Sequence, residues 1–205
     1  MKKKEIGNAS IKAVVDTFMA ATPITNLFHN FFKQLEYGAE KKVRDEWEIL
    51  IENKLIKLET RLDELVDSEF FMSCIKLTTV SALRTFQEEK RIFLANALYN
   101  SAVSEDIDRN KINLALTFID KYPVVVLRVL DLFSHTNKPK NNHDVHAYIS
   151  KYVPEAVGVG TEAIMKMLLN DGLIVADQFN LMKYSSFHQI RVTGMGDTIL
   201  NLIKN

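Results

Sequence analysis

From Ala39 to Asp67 the chain contains no Gly and no Pro and is rich in Glu, Lys and Leu. Strong helix formers fill the stretch and nothing interrupts them, so it is expected to fold as one long helix. At 1.5 Å per residue, its roughly 29 residues make a rod of about 43 Å. Ile51, Leu55, Leu58, Leu62 and Leu65 step along it by 4, 3, 4 and 3 residues. That is the spacing of a coiled-coil seam. Glu52, Lys54, Lys57, Glu59, Arg61, Asp63 and Glu64 flank the stripe and would set its pairing. Such a rod exceeds what a small domain needs for its own core, and monomers seldom leave a large apolar patch bare. The expectation is a homo-oligomer, a symmetric dimer joined through this stripe. The competing outcome is an ordinary core-facing helix covered within one chain by Phe71, Ile75, Ile92 and Leu98.

The neighbouring segments are also helical in pattern. Asn8 to Ala21 places Ile11, Val14, Val15 and Phe18 at helical spacing. Thr22 and Pro23 offer a cap and a first residue for a second helix, which Gly38 ends. Thr17 to Phe32 carries no charged residue and reads as a buried core helix. A membrane-acting role for it is disfavoured, because Thr22, Thr25, Asn26 and Asn30 are costly in hydrocarbon. Ser68 is placed to cap the next helix, and a break is expected near Phe86 before an amphipathic helix with Ile92, Ala95, Leu98, Tyr99 and Ala102 on one face. Asp106 or Asp108 caps another. Residues 1–121 therefore read as a helical bundle and oligomerisation region.

The pattern changes from Tyr122 onward. A Pro-started apolar helix, the polar stretch "TNKPKNN", a short helix at "HDVHAYISKYV" and a helix capped by Thr161 and stopped by Gly172 follow in order. "LIVA" and "HQIRVTG" read as two strands of a small hairpin, and "GDTILNLIKN" closes with a helix. Helix, helix, helix, strand, strand, helix is the order of a winged helix-turn-helix. The expected fold is mainly α: an N-terminal helical bundle over residues 1–121 and a winged-helix-like domain with a small β-hairpin over residues 122–205. Val125, Leu127, Leu130, Leu132, Ile164, Leu168, Leu173, Val175, Ile190, Val192, Ile199 and Leu202 are expected to supply the core of that second part.

A winged helix that reads DNA lays its third helix in the major groove and anchors on phosphates with Lys and Arg. Here the turn and third helix carry Glu155, Glu162 and Asp171 against Lys166 alone. No Arg, Asn or Gln stands in the first turn for bidentate base contact. Tyr122 to Asn205 holds 8 Lys and Arg against 7 Asp and Glu, a net of +1. DNA-binding domains usually show a strongly basic face instead. Lys138, Lys140, Lys151, Lys166, Lys183 and Arg191 are the residues through which a transcriptional regulator would touch nucleic acid. Nucleic acid is nonetheless the disfavoured partner, and a protein partner the favoured one, because a fold does not fix a function.

Chemistry is sparse. His143 and His146 stand three residues apart, with His135 upstream, but a zinc site needs three or four convergent ligands and no Cys helps. Cys74 lies on an apolar helical face without a nearby activating charge, as expected of an inert buried thiol. "GVG" before Thr161 is too short for a phosphate loop. The chain reads as non-enzymatic, with no cofactor and no metal. Lys plus Arg and Asp plus Glu balance at 26 each, which argues against broad attraction to nucleic acid or anionic membranes. One cysteine, no long apolar span and no convincing cleavage site after the lysine-rich start suggest a cytoplasmic protein.

Two stretches resemble a known group. "TFQEEKRIFLANALYNSA" (Thr85 to Ala102) is similar to a helix of uncharacterised bacterial proteins, with Lys90, Arg91, Leu94, Ala95 and Leu98 in matching places. "LLNDGLI" and "RVTGMGDTILNLI" resemble their C-terminal ending, a "GLI" strand and a "T-x-x-G" turn into the last helix. Such proteins pair a helical half with a winged-helix half, and some resemble the abortive-infection alpha type of anti-phage proteins. The resemblance implies a bacterial or phage-derived assembly or adaptor protein with a defence association. It supplies no catalytic residues.

Overall fold

Trp47, Ile51, Leu55 and Leu58 recur every three or four residues and point the same way, which gives the first described helix one apolar face. A computed structural model describes residues 41–58, 65, 68–104, 107–134, 145–176 and 190–205. The expected helices before Gly38, residue Leu62, the "TNKPKNN" stretch and the tip of the hairpin lie outside the described residues.

Helix α1 (Lys41–Leu55) passes into a turn of tighter helix at Ile56–Leu58. Within the rod expected over residues 39–67, the regular helix tightens at Ile56, and residues 39–40, 59–64 and 66–67 lie outside the described residues. Four helices follow: α2 (Glu69–Arg84), α3 (Glu88–Val103), α4 (Arg109–Lys121) and α5 (Val124–Leu132). Next come α6 (Val145–Tyr152), the single turn α7 (Ala156–Val159) and α8 (Thr161–Asn170). Strands β1 (Ile174–Ala176) and β2 (Ile190–Val192) and helix α9 (Gly194–Ile203) end the order. The fold is mainly α, with a small antiparallel sheet near the C-terminus.

Local chemistry explains the element ends. The Ser68 hydroxyl accepts from the Phe71 amide at 3.4 Å and starts α2. Asp108 accepts from the Asn110 amide at 2.8 Å and starts α4. Thr193 accepts from the Gly196 amide at 3.2 Å and starts α9. Each side chain satisfies an amide that has no partner within the helix. Gly172 ends α8 at φ 67°, a conformation that costs glycine nothing. Thr161 does not cap α8 as expected. Gly160 takes that place without a side-chain bond, and the Thr161 hydroxyl instead meets His146 Nδ1 on α6.

The strands pair antiparallel with Ile174 opposite Val192, Val175 opposite Arg191 and Ala176 opposite Ile190. Alternation sends Ile174, Ile190 and Val192 inward. Val175, expected in the core, is 45% exposed. The run "LIVA" looks uniformly apolar, but a two-stranded sheet has only one face on the core. Leu132 is only half buried, whereas Leu168, Leu173 and Ile199 are fully enclosed.

Helix α3 is central. It packs against α1, α2, α4 and α9, and its buried residues go round the helix rather than along one stripe. Leu94, Ala97 and Leu98 are fully enclosed, while Ile92 and Tyr99, expected on its buried face, are half exposed. The buried apolar residues form one cluster from Trp47 to Ile203. No gap in that core marks the boundary placed between residues 121 and 122, because α9 from the C-terminal part packs directly on α3.

The described start of the leucine stripe is not an exposed seam. Ile51, Leu55 and Leu58 are 1%, 2% and 5% exposed within one chain. They belong to the core, facing α3 and α2, and Leu65 is packed against the same cluster. The sequence hid the head of this stripe, Trp47. It is fully enclosed, with its indole N–H donating to the Thr79 hydroxyl at 3.2 Å.

Candidate functional site

Polar groups inside the fold come first, because an unexplained buried polar cluster is the usual mark of a site. Lys90 on α3 is 6% exposed and donates to the carbonyls of Asp120 and Tyr122 at 2.6 and 2.5 Å. These are free carbonyls at the C-terminal end of α4, where a cation is favoured. Burial lowers the pKa of the ammonium, and the Asp120 charge works against that. Asn96 donates to the Ile203 carbonyl, and Asn100 to those of Leu202 and Lys204, all at 2.8 Å. One helix thus closes the ends of two others. Lys90, Asn96 and Asn100 are structural, and Lys90 and Asn96 were legible only as polar residues in an apolar helix.

Lys90→Met keeps the stem of the side chain and removes both donors. Orphaned buried carbonyls cost about 1–3 kcal/mol each, and relief of ammonium desolvation offsets part of that. The expected loss is about 2 kcal/mol in urea unfolding. An unchanged midpoint would show the two bonds to be dispensable.

A second cluster joins α4 to α8. Asp171 accepts from Lys121 and from the Tyr122 hydroxyl. Burial disfavours the charged carboxylate, but the hydrogen bonds from Lys121 and Tyr122 and the Lys121 charge outweigh it and pull the pKa below the usual 3.8. Burial and the Asp171 contact raise the Tyr122 phenol. A carboxyl whose pKa falls on folding stabilises the fold above its unfolded pKa, and that stability is lost as pH drops through the folded value. The urea midpoint is therefore expected to fall as pH is lowered through and below 3.8, and Asp171→Asn to flatten that fall. An equal pH dependence in the variant would contradict the assignment.

Neither cluster offers a nucleophile to solvent. Ser81 binds Asp120 and is buried. Cys74 is fully enclosed, and burial pushes its thiol up to about 12. Among the described residues no group of three or more His, Cys, Asp or Glu could hold a metal. His135 and His143 lie outside the described residues, and His146 meets Thr161.

The surface of α8 decides what this part of the fold can touch. Its outward residues are Glu162, Ala163, Lys166, Met167 and Asn170. Lys166 pairs with Glu162 at 2.9 Å, both half exposed. Such a pair adds little stability, but it leaves the face neutral. Of the other acids counted against DNA, Glu155 is bonded to Arg128 and Asp171 is turned toward α4. The acidic character of the helix is weaker than its sequence suggests, and so is its basic character.

Three of the cations proposed for phosphate contact are among the described residues. Lys151 on α6 sits over the Tyr152 ring at 5.1 Å, Lys166 is paired, and Arg191 stands on the outer face of β2. Lys138, Lys140 and Lys183 lie outside the described residues. Among the described residues no helix is long and apolar enough to cross a membrane, and the uncharged Thr17 to Phe32 segment lies outside them.

Two clefts open among the described residues. One of about 490 Å³ is lined by the starts of α3 and α5 and by Glu155 and Val159. The other, of about 520 Å³, lies between α3, α5, the end of α6 and α9. Glu89 and Arg128 line both. Comparison with known proteins finds no match to any family model, curated protein or solved structure.

Proposed function

We propose that the chain is a non-enzymatic assembly or adaptor protein whose C-terminal part is a winged helix used for protein contact. The order α5, α6, α8, β1, β2, α9 supports the winged-helix assignment, with α8 in the place of the recognition helix. One observation carries the functional reading. The exposed face of α8 is neutral, with its single cation engaged by Glu162 and with Ala163 and Met167 beside the pair. Such a face has no free positive charge for phosphate, and its first turn offers no bidentate group for a base edge. It suits an uncharged, partly apolar protein surface, because interface cores favour Met and lack charge.

The test places a photo-crosslinking residue at position 167 of the full chain in its own cells, with position 117 on the exposed side of α4 as control. The expected product is an adduct from position 167 alone that resists nuclease and is destroyed by protease. A nuclease-sensitive adduct would overturn the reading, as would equal labelling from both positions.

A further inference from the structure

The two clefts lie on either side of Arg128 and form one groove between the first half of α3 and the wall made by α5, the end of α6 and α7. Arg128 bridges it, bonded to Glu89 on α3 and to Glu155 before α7. The walls are apolar: Val124, Val125 and Val159 on one side of the bridge, Leu127, Leu132 and Val153 on the other. One aromatic side chain lines the groove and a second adjoins it in sequence. Tyr152 lines the second cleft and is half exposed. Phe86 is 92% exposed in the break before α3, next to Gln87, which lines the first cleft. Phe86 is the most exposed of the large apolar side chains among the described residues, which also leave Ile49, Tyr152 and Val157 in solvent.

The charges say which partner. The groove holds four carboxylates, Glu88, Glu89, Asp131 and Glu155, against two cations, Arg128 and Lys204. Two negative charges remain, in a chain whose net charge is zero. Arg128 and Lys204 are already paired with acids of the groove, so an anionic ligand would have to break those pairs. We infer that the groove takes a basic, amphipathic segment of a protein partner. The segment's apolar side chains enter the valine-walled cleft, and its Lys or Arg residues meet Glu88 at the edge, outside the Arg128 bridge. An open groove crossed by an ion-pair bridge matches an elongated segment better than a small enclosed ligand. Opposite charge on the two surfaces steers the encounter and excludes acidic competitors.

The inference rests on the protein-contact reading, and its test is separate from α8. A fluorescent synthetic helix of Leu and Lys, about five turns long (~18 residues), is titrated into the full chain, with a Leu and Glu helix of the same pattern as control. Saturable binding of the basic helix is expected, with amide NMR shifts confined to the groove and affinity falling as salt rises. Phe86→Ser and Glu88→Lys change exposed side chains, and together they should weaken binding about 10-fold without altering the melting temperature. Any of three results would overturn the inference: no saturation by ~1 mM peptide, equal binding of the acidic helix, or shifts centred elsewhere. Failure here with a protein adduct at position 167 would sink the groove alone. Nuclease-sensitive crosslinking with groove binding intact would sink the α8 reading alone.

Discussion

Gly196→Ala is expected to cost about 3 kcal/mol or more, the upper end of overpacking penalties. A Cβ built on Gly196 would lie 2.5 Å from the Leu173 carbonyl oxygen and 2.5 Å from Val192 Cγ1. One of these atoms is backbone, fixed by the strand it leads into. The Leu173 carbonyl also accepts from the Thr193 amide at 3.0 Å and from the Thr193 hydroxyl at 3.3 Å. Moving it away would loosen the cap that starts α9. That helix packs on α3, so the damage would spread to the centre of the core. Thermal unfolding by circular dichroism checks the result. An alanine variant that melts with the wild type would show that the first turn of α9 sits farther from β1 than described.

Ile51→Glu has a comparable or larger effect, and it separates two accounts of the leucine stripe. Ile51 is 1% exposed in the middle of α1. The variant loses about 1.5–3 kcal/mol of apolar burial and must also desolvate a carboxylate, at several kcal/mol more. The total is of the order of the whole stability of a small domain, about 5–15 kcal/mol. The expected result is loss of the folded state. A well-folded variant that differs from wild type only in its mass by light scattering would instead make the stripe an interface between copies.

Much of the local structure was legible, for definite reasons. Ser68, Asp108, Thr193 and Gly172 mark helix ends through their own side chains or backbone freedom, which a sequence displays directly. The strands β1 and β2 were visible too, β2 by its alternation and β1 only as an apolar run, which hid that the sheet would leave Val175 outside. Tertiary placement was hidden. The spacing of Ile51, Leu55 and Leu58 is the same whether the stripe meets another copy or α3 of its own chain. Helix α3 looked amphipathic because Lys90, Arg91 and Asn96 count as polar, yet all three are buried. Arg91 donates to the Thr85 carbonyl at 3.2 Å and pairs with Glu46 at 3.1 Å, which no pattern within α3 reveals.

The candidate site was less legible than the fold. Counting acids on the third helix led toward the neutral face, but for a partly wrong reason. Glu155 and Asp171 are engaged by Arg128, Lys121 and Tyr122 and do not stand free on α8. The decisive feature is the Glu162–Lys166 pair, a spacing of four residues that the sequence does display. The groove was not foreseen, because its walls come from α3, α5, α6 and α7, which meet only in the fold.

On the reading proposed above, this protein acts through protein contacts and not by binding DNA. Fluorescence anisotropy with a generic labelled duplex, across a salt series, tests it most directly. The expected result is no binding tighter than about 10 μM at physiological salt, the range of weak nonspecific attraction. A sub-micromolar dissociation constant that weakens steeply with salt, and weakens further in Lys166→Glu, would contradict it.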